Sequence, residues 1–219
     1  LAVLAVHVLL AGILVLQVRL LSRPRLEAVS EEAGGRVPPA EEERWATENG
    51  FAFLGNYVMK IGGQLARIAV WQRPDRPTFF CRYVIEAQNR RQQSYDLVTL
   101  FAEEVGLTTG SSRDGQLFPT RPGSFMQTFT GLSLDQQWSV HIDMENYLMD
   151  RGGAGLVELE EPFEEVFVRA IVRQMEYIKT IPFWPLRGAY WYFVRRYQRH
   201  EKTIQQQHDK GWKKLPNGL

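Results

Sequence analysis

The chain begins with a nearly unbroken apolar run. Residues 1–16 contain a single polar side chain, that of His7, and the run continues to Leu21 with only two further polar interruptions. A helix of about 20 residues spans about 30 Å, which is the thickness of a membrane hydrocarbon core. The pattern therefore predicts a transmembrane anchor over residues 1–21.

A cleaved secretory signal is the alternative interpretation of this run. Such signals carry positive charge before the apolar residues and a small-residue cleavage site after them. Here Arg19, Arg23, Arg25 and Arg36 come at or after the end of the run, and no A-x-A pattern follows it. The sequence thus favours an uncleaved single-pass anchor in the membrane, with the rest of the chain facing the cytoplasm.

Residues 22–38 predict a linker between the anchor and a folded domain. They combine prolines and glycines with Glu27, Glu31 and Glu32, and they sustain no apolar stripe. We expect such an acidic spacer to be repelled by anionic headgroups and to hold the next domain away from a membrane surface.

An α+β domain is predicted over residues 39–153. It starts with a short helix at Pro39–Asn49, and strand-like segments then follow at 51–60, 64–72, 78–87, 94–102, 106–110 and 125–130. Glycine and proline turns separate these segments, and no helix intervenes. Connections this short imply an antiparallel β-meander sheet.

A helix over residues 133–149 closes this domain. Ser133 is the expected N-cap, and Gln136 completes a capping box with it. The apolar residues that follow recur at helical spacing. Because one helix across one face of a sheet is the economical packing, we expect an antiparallel sheet with its helices on one face.

Residues 154–219 predict a helical C-terminal segment with an aromatic and basic tail. A third helix opens in the acidic run Glu158–Glu165 and is broken by Pro182 and Pro185, and residues 186–207 read as a further helix. The candidates for membrane-interface contact are Phe183, Trp184, Arg187, Tyr190, Trp191, Phe193, Arg195 and Arg196. Aromatic residues prefer the membrane interface and arginines prefer anionic headgroups.

Three interpretations of this tail remain open. It can lie on a membrane as an amphipathic helix, it can pack on the domain or on a protein partner, or it can bind RNA. No RNA-binding module signature is present. The whole chain has 26 Lys and Arg against 25 Asp and Glu, a net charge of +1, which argues against bulk nucleic-acid binding.

Evidence for catalysis is sparse. The chain lacks the common phosphate-loop, hydrolase and zinc-protease motifs. Its single cysteine, Cys81, excludes an intrachain disulfide and multi-cysteine zinc sites, so we expect no metal and no cofactor. His141 and Glu145 share one face of the predicted helix. Together with Thr108 and Arg113 from the preceding loop, they form the candidate pocket.

The residues Leu97–Ser112, LVTLFAEEVGLTTGSS, resemble a pattern of uncharacterised membrane-anchored bacterial proteins of Planctomycetes-like origin. The resemblance also includes the Gly-Phe start at Gly50–Gly55 and the helix that carries His141, and it extends over Glu48–Leu148. It implies a membrane-tethered α+β domain without an assigned reaction, and it contributes no catalytic residues.

The sequence therefore favours a membrane-tethered, non-catalytic domain that binds a protein partner or organises a membrane complex. The alternative is an enzyme or small-ligand receptor with a pocket between the sheet and the helix at 133–149. The oligomeric state is left open.

Overall fold

A computed structural model describes residues 2–30, 39–61, 64–87, 90–158 and 161–216 of the chain. Its centre is one seven-stranded sheet whose strands follow one another in chain order: β1 (Leu26–Val29), β2 (Ala52–Ile61), β3 (Gln64–Gln72), β4 (Thr78–Ala87), β5 (Arg90–Leu100), β6 (Gly106–Gly110) and β7 (Ser124–Thr128). All neighbours are antiparallel except β6 and β7, which are parallel. The α+β class and the largely antiparallel sheet are confirmed.

The parallel pair arises from the long connection after β6. This connection contains a short 3₁₀ turn, Arg113–Gln116. It returns the chain to the end of the sheet at which β6 begins, so that β7 runs in the same direction as β6. A two-residue turn would have forced an antiparallel neighbour, whereas a longer crossover permits a parallel one.

β1 is a four-residue edge strand inside the stretch predicted as a linker. It pairs with β2 from Leu26 opposite Met59 to Val29 opposite Asn56. A strand this short has little periodicity of its own, so its partner determines its conformation. The remaining linker residues, 31–38, lie outside the described part of the chain.

The helices are α1 (Ala2–Leu21), α2 (Ala40–Glu48), α3 (Leu134–Gly152), α4 (Phe163–Thr180), α5 (Gly188–Tyr190), α6 (Arg196–Arg199) and α7 (Ile204–Asp209). The predicted capping box of Ser133 and Gln136 is present at the start of α3. The helix expected over 186–207 is interrupted. A π-helical turn, Trp191–Arg195, joins α5 to α6, and Glu201 then takes a positive φ of 56° before α7.

The expectation that all helices pack on one face of the sheet is wrong. Phe80 packs with Trp45 of α2 on one face, while its neighbour Phe79 packs with Phe163 of α4 on the other. Successive residues of a strand point to opposite faces. The run Phe79-Phe80-Cys81 is therefore apolar on both sides, and a strand of this kind requires cover on both faces.

α1 packs on the domain through one stripe of its surface. Leu14 and Val18 are buried there against α4 and the ring of Trp191. Within the described ranges, no helix has both the length and the apolar character needed to cross a membrane. The transmembrane anchor predicted over residues 1–21 is thus not supported.

Candidate functional site

The best candidate from the sequence, His141, lies in a fully buried polar network between α3 and the sheet. Its Nε2 is 2.9 Å from Thr99 Oγ1 on β5, and its Nδ1 is 2.8 Å from Thr109 Oγ1 on β6. Thr99 also donates to Glu145 Oε2 at 2.9 Å. The predicted proximity of His141 and Glu145 on one helix face is therefore observed, with Thr99 bridging them.

The partners in this network determine which atom donates in each hydrogen bond. Gln127 Nε2 donates to Thr109 Oγ1 at 2.8 Å, so the Thr109 hydroxyl is left to donate to His141 Nδ1. Because the Thr99 proton goes to Glu145, the Thr99 oxygen must accept from His141 Nε2–H. This assigns a neutral imidazole with its proton on Nε2.

Burial and charge agree with the neutral form. Burial lowers the pKa of His141 to about 3. The carboxylate of Glu145 is 1% exposed, and its Oε1 accepts from Arg76 Nη1 at 2.8 Å. Both ring nitrogens and both carboxylate oxygens thus have partners within the protein, and a network of this kind fixes the position of α3 on the sheet.

Thr108 and Arg113 do not join His141. On β6 it is Thr109 that points towards α3, and alternation places Thr108 on the opposite face of the sheet. The Arg113 guanidinium stacks on the ring of Tyr197 at 4.8 Å from its centroid. The four residues predicted to form one pocket therefore lie on two sides of the sheet.

The aromatic and basic residues at 183–197 divide into exposed and buried members. Trp191 is buried against α1 and α4, and Trp184 is half-buried beside it. Phe183, Arg187, Tyr190 and Phe193 are exposed. The segment thus packs on the domain through one side and presents the other side outward.

Exposed large apolar side chains are concentrated in two packed segments. In the described part of the chain, all but three of them lie on α1 or between Phe183 and Tyr197. On α1 they are Val6, Val8, Leu9, Ile13 and Leu16, and in the second segment they are Phe183, Leu186, Tyr190, Tyr192, Phe193, Val194 and Tyr197. We call this set the apolar face.

The two halves of the apolar face are joined by a close helix contact. α1 lies against the 3₁₀ turn Trp184–Arg187 and against α5. A Cβ added at Gly188 would lie only 3.1 Å from Leu14 Cδ2 and 3.6 Å from the Leu10 carbonyl oxygen. Glycine at this position therefore allows the close approach of the two segments.

The consecutive arginines Arg195 and Arg196 are buried, contrary to their predicted place at a membrane interface. Arg196 donates to Asp114 Oδ1 at 2.6 Å, and its Cζ lies 4.0 Å from the Tyr192 ring centroid. Arg195 Nη1 donates to the carbonyls of Gln116 and Phe118. Both arginines hold the 3₁₀ turn after β6 onto the helical segment 188–199, which consists of α5, the π-helical turn and α6 and is called the C-terminal helix below.

A cavity of about 330 Å³ opens beside this helix. Arg187, Arg195 and Arg199 line it together with aromatic side chains that include Tyr177, Tyr190, Trp191 and Trp212. Arg199, Tyr177 and Trp212 are not among the site residues predicted from the sequence. The four-residue spacing of Arg195 and Arg199 is the only local signal, because α4 and the residues after α7 are brought here by the fold.

No group of three or more histidine, cysteine or acidic side chains is arranged to hold a metal ion within the described residues. Comparisons of the chain with protein-family models, with curated proteins and with solved structures give no significant match. The resemblance seen in the sequence therefore stays a prediction, and function must be argued from the geometry above.

Proposed function

We propose that this chain is a non-catalytic domain that docks on a membrane surface through the apolar face. The observation that carries the proposal is the concentration of exposed apolar side chains on α1 and residues 183–197. Phe183 and Leu186 are 77% and 71% exposed. Contact between such large apolar side chains and water is unfavourable in free energy, and burial in an apolar environment would remove that cost. Exposed apolar side chains that are concentrated in two contacting segments, and not scattered singly, are typical of interaction sites.

The chemistry around the face favours a lipid surface as its partner. No acidic residue occurs in residues 1–26 or 181–200. The exposed Arg19 lies in the last turn of α1, and the exposed Arg23 and Arg25 follow that helix. Arg187 lies in the other segment. Cationic residues beside an apolar face suit the anionic headgroups that lie above the hydrocarbon.

The aromatic content of the face supports the same docking mode. Tyr190, Tyr192 and Tyr197 each present a ring and a hydroxyl. Such side chains bury an apolar body and keep a polar tip in the headgroup region. The proposal requires insertion at the interface only, to the depth of these side chains.

Co-sedimentation with lipid vesicles tests the proposal. The double variant Leu186→Ser with Phe193→Ser removes two exposed side chains whose transfer into lipid is worth about 1.5 kcal/mol each. We expect vesicle affinity to fall on the order of 100-fold, with unchanged circular dichroism and melting temperature. The matched control is Leu54→Ser with Leu156→Ser, two exposed apolar residues outside the face.

The comparison of these two variants decides the outcome. Equal vesicle affinity for both double variants and the wild type, or a wild type that stays in the supernatant with every vesicle, contradicts the proposal. In the latter case a protein partner becomes the better explanation of the apolar face.

A further inference from the structure

The cavity beside the C-terminal helix combines open space with cations. Its volume is about 330 Å³, and Arg187, Arg195 and Arg199 contribute to its wall. Arg195 and Arg199 are one helical turn apart, so their side chains project from the same side of the helix. Arg187 and Tyr190 belong both to the cavity wall and to the exposed segment described above.

Within the described ranges, no carboxylate pairs with the two inner arginines. Arg195 Nη1 donates to two backbone carbonyls, and Arg199 donates to Gln207 Oε1 at 3.2 Å and to the Trp212 carbonyl at 3.0 Å. The adjacent Arg196 shows the contrast, because Asp114 neutralises it. Neutral acceptors orient the guanidinium groups but leave their positive charge uncompensated.

Lys213, which is half-buried like Arg199, adds a third cation behind this wall. Its Nζ donates to the Arg121 carbonyl at 2.8 Å and to Thr120 Oγ1 at 3.1 Å. Burial, with Arg199 and then Arg195 nearby, lowers the pKa of Lys213 to about 7. Three crowded cations destabilise one another, and an anion in the cavity would relieve that repulsion.

A second cavity of about 340 Å³ serves as the comparison within the molecule. It lies over β2–β4 and is also lined by arginines, including Arg67 and Arg82. There, however, Arg82 Nε lies 3.3 Å from Glu42 Oε1, and Arg67 Nε lies 3.9 Å from Glu86 Oε2. Carboxylates already compensate the charges of Arg67 and Arg82, so we expect the second cavity to attract an anion less strongly.

We propose that the cavity lined by Arg187, Arg195 and Arg199 binds the phosphate monoester headgroup of a lipid, as in phosphatidic acid, and not the choline-capped diester of phosphatidylcholine. Guanidinium groups bind phosphate oxygens through paired, charge-assisted hydrogen bonds. The aromatic walls at Tyr177, Tyr190 and Trp191 provide apolar contact for the glycerol carbons. This proposal rests on the membrane docking proposed above, because the cavity shares Arg187 and Tyr190 with the docking segment.

The test uses the full chain with two probes. Titration calorimetry with sn-glycerol 3-phosphate measures the cavity without any membrane. Co-sedimentation compares vesicles of phosphatidylcholine alone with vesicles that also contain phosphatidic acid. The variant is Arg187→Gln, since Arg187 is exposed and its loss should leave the fold intact. Arg44→Gln, another exposed arginine on α2, is the matched control.

We expect wild-type protein to bind glycerol phosphate and to prefer phosphatidic acid vesicles. Arg187→Gln should weaken glycerol phosphate binding about tenfold and reduce the preference for phosphatidic acid by a similar factor. Its affinity for phosphatidylcholine vesicles should change little. Arg44→Gln should match the wild type with both probes.

Two other results overturn the proposal, and they are distinguishable. If the two vesicle types bind equally well, and Arg187→Gln matches the wild type with both probes, the cavity is not a phosphate site although membrane docking stands. If glycerol phosphate binds through Arg187 but no vesicle does, the cavity takes a free phosphate ester. The lipid assignment and the docking proposal then both fail.

Discussion

The His141 network and the cavity lined by Arg187, Arg195 and Arg199 are two regions of this molecule that gather ionisable side chains. In the network, each ring nitrogen of His141 and each carboxylate oxygen of Glu145 has a protein partner. In the cavity, Arg195 donates to backbone carbonyls. Arg199 donates to neutral oxygens, and its Cζ lies 5.5 Å from the Trp212 ring centroid. Neither arginine pairs with a carboxylate in the described part of the chain, and both line open space.

The difference shows that residue chemistry alone does not mark a functional site. Histidine and glutamate at helical spacing have the composition of an active site, yet here they are satisfied and packed. The cavity lacks such a pair, but its arginines Arg195 and Arg199 have no carboxylate partner among the described residues, and it has room for a ligand. We therefore propose that the His141 network stabilises the packing of α3 on the sheet and that the cavity binds a ligand.

The largest effect should come from breaking the network at its centre. Thr99→Val removes the donor to Glu145 and the acceptor for His141, and it leaves both buried groups incompletely paired. We expect the free energy of unfolding to fall by about 3 kcal/mol, measured by chemical denaturation. The control is Thr108→Val, which changes a threonine on the opposite face of the sheet. It should change the free energy of unfolding by less than about 0.5 kcal/mol.

A loss for Thr99→Val no larger than that for Thr108→Val would show that the network does not hold α3 on the sheet. The structural role of His141 and Glu145 would then have to be abandoned.

The second prediction concerns the pH dependence of stability. The folded pKa of His141, about 3, lies below its ordinary value, so acidification from pH 7.5 to 5 destabilises the fold by about 2 kcal/mol. Burial raises the pKa of Asp96 on β5 to about 7, so the folded chain holds that proton more tightly. Acidification over the same range therefore stabilises the fold through Asp96, by an amount similar to the loss that His141 causes.

Wild-type stability should change little between these two pH values, and single variants should reveal each component. Asp96→Asn should lose at least about 2 kcal/mol on acidification, because the His141 contribution is then no longer offset and Lys213, with a pKa of about 7, adds a smaller loss of the same sign. His141→Gln should gain about 2 kcal/mol over the same range. Urea denaturation at both pH values measures this, and parallel profiles for the three proteins would contradict a buried neutral imidazole.

A smaller effect is expected where α1 meets the C-terminal helix. Gly188→Leu places a side chain against Leu14 Cδ2, where even a Cβ would lie at 3.1 Å. We expect a loss of about 1.5 kcal/mol in thermal or chemical denaturation, after the gain in helix propensity is included.

Gly12→Ala on α1 is the matched control, since nothing lies within 4 Å of the added Cβ. It should stabilise the protein by about 0.5 kcal/mol. Equal effects of the two substitutions would mean that α1 does not pack against α5, and the apolar face would lose its continuity.

The sequence predicted β2, β3, β4, β6 and β7 to within two residues at each end because turn residues bound them. β5 was predicted less well, since it starts at Arg90, four residues before the predicted start. The residues Ser133 and Gln136 likewise placed the start of α3. By contrast, β1 depends on pairing with a distant partner, and the two-sided cover of the sheet becomes clear only when Phe79 and Phe80 are seen on opposite faces.

The candidate site was harder to predict than the fold. His141 and Glu145 are four residues apart, so helical spacing was sufficient to pair them. Choosing Thr109, which contacts His141, over the predicted Thr108 requires the register of β6, which local sequence does not specify. The cavity brings together Tyr177, Arg199 and Trp212 from separate segments, and no spacing rule connects them.

An environment-sensitive fluorophore at residue 186 tests the central claim most directly. Cys81 is buried, so Leu186→Cys and the control Leu54→Cys each provide one accessible thiol for an NBD label. On addition of phosphatidic acid vesicles, the account predicts a blue shift and quenching by lipid-borne quenchers at position 186 alone. An unchanged spectrum at position 186, or equal changes at both positions, would contradict docking through the apolar face.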